Sequence, residues 1–139
     1  VYKRQAYCLM DVDDFKRIND TRGHAYGDIA LMKIAKILTE SVPEGTITAR
    51  YGGDEFCMSL PGMDREEQLE PILKEILAHV KKEEYGGMQL SLSVGVAFYP
   101  KHRTVDKNSI GKYADVALYK AKESGKDSYC FYCDEMGEF

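Results

Sequence analysis

Two short apolar runs, Ile47 to Tyr51 and Phe56 to Leu60, are joined by Gly52-Gly53-Asp54-Glu55. This arrangement constrains the chain more than any other segment. Apolar runs of that length flanking a Gly-rich tetrad read as the strands of a β-hairpin. Glycine supplies the positive φ of a tight turn and leaves no side chain to block a ligand. Two adjacent carboxylates at the tip suit a hard cation and, through it, a phosphate. A merely polar surface turn would use the same glycines.

Around the hairpin, Ala6 to Met10 is an apolar strand ending in Asp11-Val12-Asp13-Asp14. Asp28 to Leu38 has helical spacing and is closed by Pro43 and Gly45. Asp64 is a candidate cap for a helix with Leu69, Ile72, Leu73, Ile76, Leu77 and Val80 on its apolar face, stopped by Gly86-Gly87. Leu90 to Phe98 alternates as a strand with one face on the core. Ile110 to Ser124 is amphipathic with Gly125 at its stop, and Ser128 to Tyr132 closes the chain as a strand. The order is strand, helix, hairpin, helix, strand, helix, strand. It predicts an α+β fold of ferredoxin-like or palm type, a mostly antiparallel sheet flanked by helices.

The chain has 139 residues and reads as one domain, residues 1–139, large enough for a core without staples. Its net charge of -4 argues against nucleic acid held on a broad basic surface. No apolar run is long enough to span a bilayer. The four cysteines are read as reduced, which places the domain in the cytoplasm. Cys130 and Cys133 have metal-ligand spacing, but no second pair or histidine cluster accompanies them. The first five residues, Val1 to Gln5, resemble translated sequencing adapter, so the natural protein is expected to extend further at its N-terminus.

If the first strand lies beside the hairpin, alternation points Asp11 and Asp13 to one face, near Asp54 and Glu55. Such carboxylates can hold magnesium against phosphates, or can be a solvated strand end. After them, Phe15 to Asp20 reads as a turn with free N–H groups for phosphate oxygens, and Lys16 adds a charge. Asn19 offers a donor and an acceptor, while Asp28 only accepts, so the pair could read a guanine edge. An Asx turn at Asn19 and a helix N-cap at Asp28 are the alternatives. Lys120, Lys122 and Lys126 could clamp outer phosphates or form a solvated face. His24 reads as a structural hydrogen-bonder.

Together these segments resemble the GGDEF family, the diguanylate cyclases. The match runs through Leu9 to Lys16, Ile18-Asn19-Asp20, Gly23-His24 and Gly27-Asp28, then Arg50 to Phe56, Ser93 to Ala97 and Ala114 to Lys122. The resemblance implies a palm-like sheet and condensation of two GTP into cyclic di-GMP with release of two pyrophosphates, at a homodimer interface. By the resemblance Asp11, Asp54 and the Val12 carbonyl are magnesium ligands, with manganese as a possible substitute. Glu55 matches a catalytic carboxylate proposed to help deprotonate the attacking 3′-hydroxyl, beside Asp54 and Asp11. Asn19 and Asp28 match guanine readers. Lys16, Lys122 and Lys126 match phosphate contacts, with Asp14, Phe15 and Gly53 also at substrate positions.

The chain departs from the family's pattern in four places. The usual segment upstream of the first strand is absent, the final Gly-Arg-Asn is Gly125-Lys126-Asp127, and Arg22 replaces a common aromatic. Pro43 to Thr46 stand where many members carry an Arg-x-x-Asp product-inhibition site, so no feedback through that site is expected. The resemblance also implies an N-terminal sensory domain, and no nucleic-acid or membrane contact from this one. A catalytically silent GTP-binding module is the alternative function. A mixed GMP–AMP product is a third, against which Asn19 and Asp28 both argue.

Overall fold

In the computed structural model, residues 4–99 and 110–137 are described. Strand β1 (Gln5–Val12) leads into two helices, α1 (Phe15–Arg22) and α2 (His24–Glu40), followed by the hairpin of β2 (Ile47–Gly52) and β3 (Glu55–Pro61). Helix α3 (Glu66–Lys82), strand β4 (Leu92–Tyr99), helix α4 (Ile110–Glu123) and strand β5 (Ser128–Phe131) complete the fold, with a short 3₁₀ turn at Asp134–Met136. The sheet order is β2-β3-β1-β4-β5. β1 is antiparallel to both β3 and β4, and only β5 runs parallel to its neighbour. The expected α+β plan, with the first strand beside the hairpin, is what forms.

Alternation along the strands separates two cores. Ala6, Cys8 and Met10 of β1, Phe56, Met58 and Leu60 of β3, and Val94, Val96 and Phe98 of β4 face α1, α2 and α3. Those helices contribute Ile18, Ile34, Leu38, Leu69, Leu73 and Ile76, all fully buried. Each such side chain contributes about 1.5–3 kcal/mol by leaving water. On the other face α4 lays Ala114, Ala117 and Leu118 against Leu9, Ala97 and Tyr99. Close approach here depends on Gly95, where a Cβ would stand 2.1 Å from the Ala114 carbonyl oxygen. β4 is therefore buried along its whole length, on both faces, rather than on the one face its alternation predicts.

Other local expectations are corrected. Residues 15–22 form helix α1 instead of a turn, and α2 begins at His24, four residues ahead of Asp28. Asn19 therefore sits within a helix and Asp28 is not an N-cap. Asp64 does not cap α3; it pairs with Arg4 at 3.1 Å, while Gln68 Oε1 accepts from the N–H groups of Asp64 and Arg65. At the hairpin only Gly53 takes a positive φ, of 30°, because the two-residue turn is Gly53-Asp54 and Gly52 pairs with Glu55. Within the segment read as adapter, Gln5 is already in β1 and Val1 to Lys3 lie outside the described residues.

Candidate active site

The site forms where β1, the hairpin tip and the end of α4 meet. Asp11 is opposite Glu55 in the β1–β3 register, and the Val12 N–H donates to the Asp54 carbonyl at 3.1 Å, tying the tip to the end of β1. Arg50 Nε donates to the Gly53 carbonyl at 2.9 Å and braces the turn from within the hairpin. A recess of about 250 Å³ is lined by Asp11, Val12, Asp13, Asp14, Phe15, Lys16, Asp54, Lys122 and Lys126. Of the charged residues selected from sequence, Asp11, Asp13, Asp14, Lys16, Asp54, Lys122 and Lys126 thus converge, while Asp28 and Lys120 do not line the recess. Glu55 lines a separate recess with Tyr7, Tyr51 and Lys112.

Helix α4 brings in the lysines through its C-terminus. The Lys126 N–H donates to the Ala121 carbonyl at 3.2 Å and the Gly125 N–H to the Lys122 carbonyl at 3.3 Å, a Schellman cap with Gly125 at φ 115°. Lys122 Nζ donates to Asp11 Oδ2, and Lys126 Nζ to Asp14 Oδ1 at 3.0 Å. Lys120 instead pairs with Glu123 on the surface and takes no part.

Electrostatically the recess is an unbalanced carboxylate cluster. Burial, then the charge and hydrogen bond of Asp11, push the Asp54 carboxyl up from 3.8 to about 6. Burial would lower the Lys122 ammonium, yet its hydrogen bond to Asp11 and the charges of Asp11, Asp13 and Asp54 hold it above its ordinary value. Asp11 Oδ1 is buried with no hydrogen-bond partner. An orphaned carboxylate oxygen beside a second carboxylate fits a divalent cation, which would complete the acceptor that Lys122 half satisfies. Among the described residues no group of three or more His, Cys, Asp or Glu is poised to hold a metal ion. Two carboxylates and a main-chain carbonyl match the few protein ligands that magnesium takes when phosphates and water supply the rest.

Asp13 shares the Asp11 face and lines the same recess, as alternation predicts, but its carboxylate is not free for a cation. Its side chain is 5% exposed and is engaged by Ser91, Ser93 and the Asp127 N–H. The expected base readers stand farther off, on α1 and α2. Gly27 makes their packing possible, since a Cβ there would fall 1.9 Å from Asn19 Oδ1 and 3.0 Å from the Phe15 ring. Asp28 is exposed one residue further on. Arg22 stacks its guanidinium 6.0 Å from the Tyr26 ring centroid. The four cysteines are free thiols, and Cys130 and Cys133 stand near the end of β5, away from the recess.

A five-stranded sheet of this order, with carboxylates where β1 meets a hairpin tip, defines a nucleotidyl-cyclase-like α+β domain. The chain belongs to the GGDEF family: the family model described as diguanylate cyclase, GGDEF domain, matches residues 2–128. It is 45% identical over 121 residues to the probable diguanylate cyclase DgcI of Escherichia coli, a match covering 86% of this chain and 26% of that protein. It is 33% identical to the cyclic di-GMP phosphodiesterase PdeR of the same organism, over 93% of this chain and 20% of the other. The chain thus spans about a quarter or less of these relatives. Among solved structures, the GGDEF domain of YfiN (TpbB) from Pseudomonas aeruginosa superposes with a TM-score of 0.86 at 31% identity, over 94% of this chain and 83% of that one. The active GGEEF domain of a diguanylate cyclase from Vibrio cholerae also gives 0.86, at 28% identity over 94% and 84%. Among the described residues no helix is long and apolar enough to cross a membrane.

Proposed function

We propose that this domain is a diguanylate cyclase that condenses two GTP into cyclic di-GMP, releasing two pyrophosphates, at the interface of a homodimer. The observation that carries this reading is the buried, partnerless Asp11 oxygen beside Asp54, faced by two lysine ammonium groups. Carboxylates for a cation and ammonium groups for phosphates occupy one recess, as a nucleoside triphosphate requires.

Asp11, Asp54 and the Val12 carbonyl would hold magnesium, or manganese in its place. When bound, the cation acidifies the 3′-hydroxyl and neutralises charge on the α-phosphate. Lys16, Lys122 and Lys126 hold phosphates, with Asp14, Phe15 and Gly53 around them, and Asn19 and Asp28 read guanine. Glu55 takes the proton from the 3′-hydroxyl as its oxygen bonds to the α-phosphorus of the partner's GTP. The bond from that phosphorus to the pyrophosphate oxygen breaks, and the same step repeated on the other side closes the ring. Each protomer holds one GTP, so a two-fold dimer is needed to bring the two reactants in line. The domain acts in the cytoplasm, under an N-terminal sensory domain.

Fusion to a strong leucine-zipper dimeriser tests the proposal. Cyclic di-GMP should form from GTP and magnesium, and Glu55→Gln should lower the rate at least about a hundredfold while GTP still binds. Tight GTP binding with no product from the unaltered fusion would instead identify a catalytically silent GTP-binding module.

A further inference from the structure

The three non-glycine residues with positive φ among the described residues are Asp14, at 54°, Lys126, at 66°, and Asp127, at 45°. All three lie in two facing turns at the recess. Aspartate enters the left-handed region more readily than most residues, but a lysine there is uncommon and persists where its surroundings hold it. Asp13 supplies that hold. Its Oδ2 accepts from the Asp127 N–H at 3.0 Å and from Ser91 Oγ at 2.7 Å, and its Oδ1 accepts from Ser93 Oγ at 2.6 Å. Its own N–H donates to the Ser91 carbonyl at 2.9 Å. Bonds to a buried carboxylate are the strong kind. The turn's other restraints are the bond from the Lys126 N–H to the Ala121 carbonyl at 3.2 Å and two exposed ion pairs, Lys126 with Asp14 at 3.0 Å and Lys81 with Asp127 at 2.9 Å; exposed pairs hold it far less.

We propose that Asp13 is a positioning residue: it clamps the Lys126-Asp127 turn to the end of β1 and so aims the Lys126 ammonium at the outer phosphates. The proposal rests on the cyclase reading only in taking Lys126 as a phosphate contact. Sequence spacing presents Asp13 as one more surface carboxylate for the cation. Burial and three donors on its two oxygens remove it from that role and give it this one.

The test compares binding of α,β-methylene GTP, with magnesium, and of guanosine by the same domain. Asp13→Ala should weaken the nucleotide about tenfold, the loss of one charge-assisted contact, and leave guanosine unchanged. Asp13→Asn should stay within about twofold, because its oxygen can keep the Asp127 N–H while its NH₂ turns to Ser93, whose hydroxyl can accept. On a Lys126→Met background Asp13→Ala should cost nothing further. Amide exchange at Asp127 should accelerate in Asp13→Ala and stay slow in Asp13→Asn.

Parallel losses for nucleotide and guanosine, or losses of Asp13→Ala and Lys126→Met that multiply, would overturn the proposal. Should Asp13→Ala fail to fold, Ser91→Ala carries the same comparison at about two- to threefold, since it removes one donor from the clamp. A domain that binds neither probe overturns both this proposal and the cyclase reading. One that shows the split yet makes no cyclic di-GMP as the zipper fusion overturns the cyclase reading alone.

Discussion

Replacing Asp54 by Asn should make the metal-free domain more stable while abolishing its chemistry. The Asp54 carboxyl is raised from 3.8 to about 6 by burial and by Asp11. A folded-state value above the unfolded one means the folded domain binds the proton more tightly. The resulting stabilisation is fully present below 3.8 and is lost as pH rises through about 6. Roughly two pKa units at about 1.36 kcal/mol each set an upper bound of about 3 kcal/mol. Asp54 stands at a half-exposed hairpin tip, so solvent screening reduces this to about 1 kcal/mol. Asn cannot titrate. In EDTA, the difference in urea-unfolding free energy between Asp54→Asn and the unaltered domain should therefore grow with pH across that window, then level off in favour of the variant. Magnesium should narrow the difference by stabilising only the parent. A difference that stays flat with pH would refute the reasoning, because it would show that Asp54 ionises in the folded domain as freely as in the unfolded chain.

Gly27→Ala must displace Asn19, whose oxygen lies 1.9 Å from the new methyl position, so selectivity for GTP over ATP should fall about tenfold. Stability should change by under about 1 kcal/mol, because a flexible side chain gives way and alanine favours the helix; competitive nucleotide binding and urea denaturation check the two parts. Gly95→Ala sets a methyl 2.1 Å from the Ala114 carbonyl oxygen and 2.2 Å from the Leu118 nitrogen, both backbone, and should cost about 3 kcal/mol or more in urea denaturation. Millimolar cyclic di-GMP added to the zipper fusion should leave its initial rate within about twofold, since Pro43 to Thr46 offer neither the arginine nor the aspartate of the familiar inhibitory site; strong inhibition would contradict this.

How much of this was legible in the sequence depended on whether the signal was local. The hairpin was legible because two apolar runs and a Gly-rich tetrad lie within fourteen residues, Ile47 to Leu60, and the same segment carries Asp54 and Glu55. The stop of α4 was legible because Gly125 alone marks a Schellman cap. Helix α1 was not. Phe15 to Arg22 is short and half charged, and only Phe15 and Ile18 in it are buried, too few to establish a period of 3.6. Missing α1 left an Asx turn open as an alternative at Asn19, and starting α2 four residues late left an N-cap open as an alternative at Asp28. The second covered face of β4 was hidden for another reason. Ser93, Gly95 and Ala97 read as a polar or open side, yet small residues are what allow α4 to pack that close.

Asp13 marks the limit of the pattern argument most sharply. Alternation along a strand puts residues two apart on one face, and that rule joined Asp13 to Asp11. The rule holds, since Asp13 lines the same recess and bonds Ser93, which stands opposite Asp11 in the β1–β4 register. What alternation does not show is which donors occupy the carboxylate, and those come from Ser91, Ser93 and Asp127, about 80 to 114 residues along the chain. A buried carboxylate must find such donors or lose its charge. The consequence reaches the proposed chemistry: of five carboxylates at the junction, that reading leaves Asp11 and Asp54 for a cation and Glu55 for a proton, while Asp14 pairs with Lys126 and Asp13 is spent on holding the turn that carries Lys126. Simultaneous loss of Ser91 and Ser93 hydroxyls should therefore act on phosphate binding although neither serine lies at the hairpin. If the Ser91→Ala/Ser93→Ala domain bound α,β-methylene GTP as tightly as the parent, Asp13 would not need its partners, and the division of labour among the carboxylates would have to be redrawn.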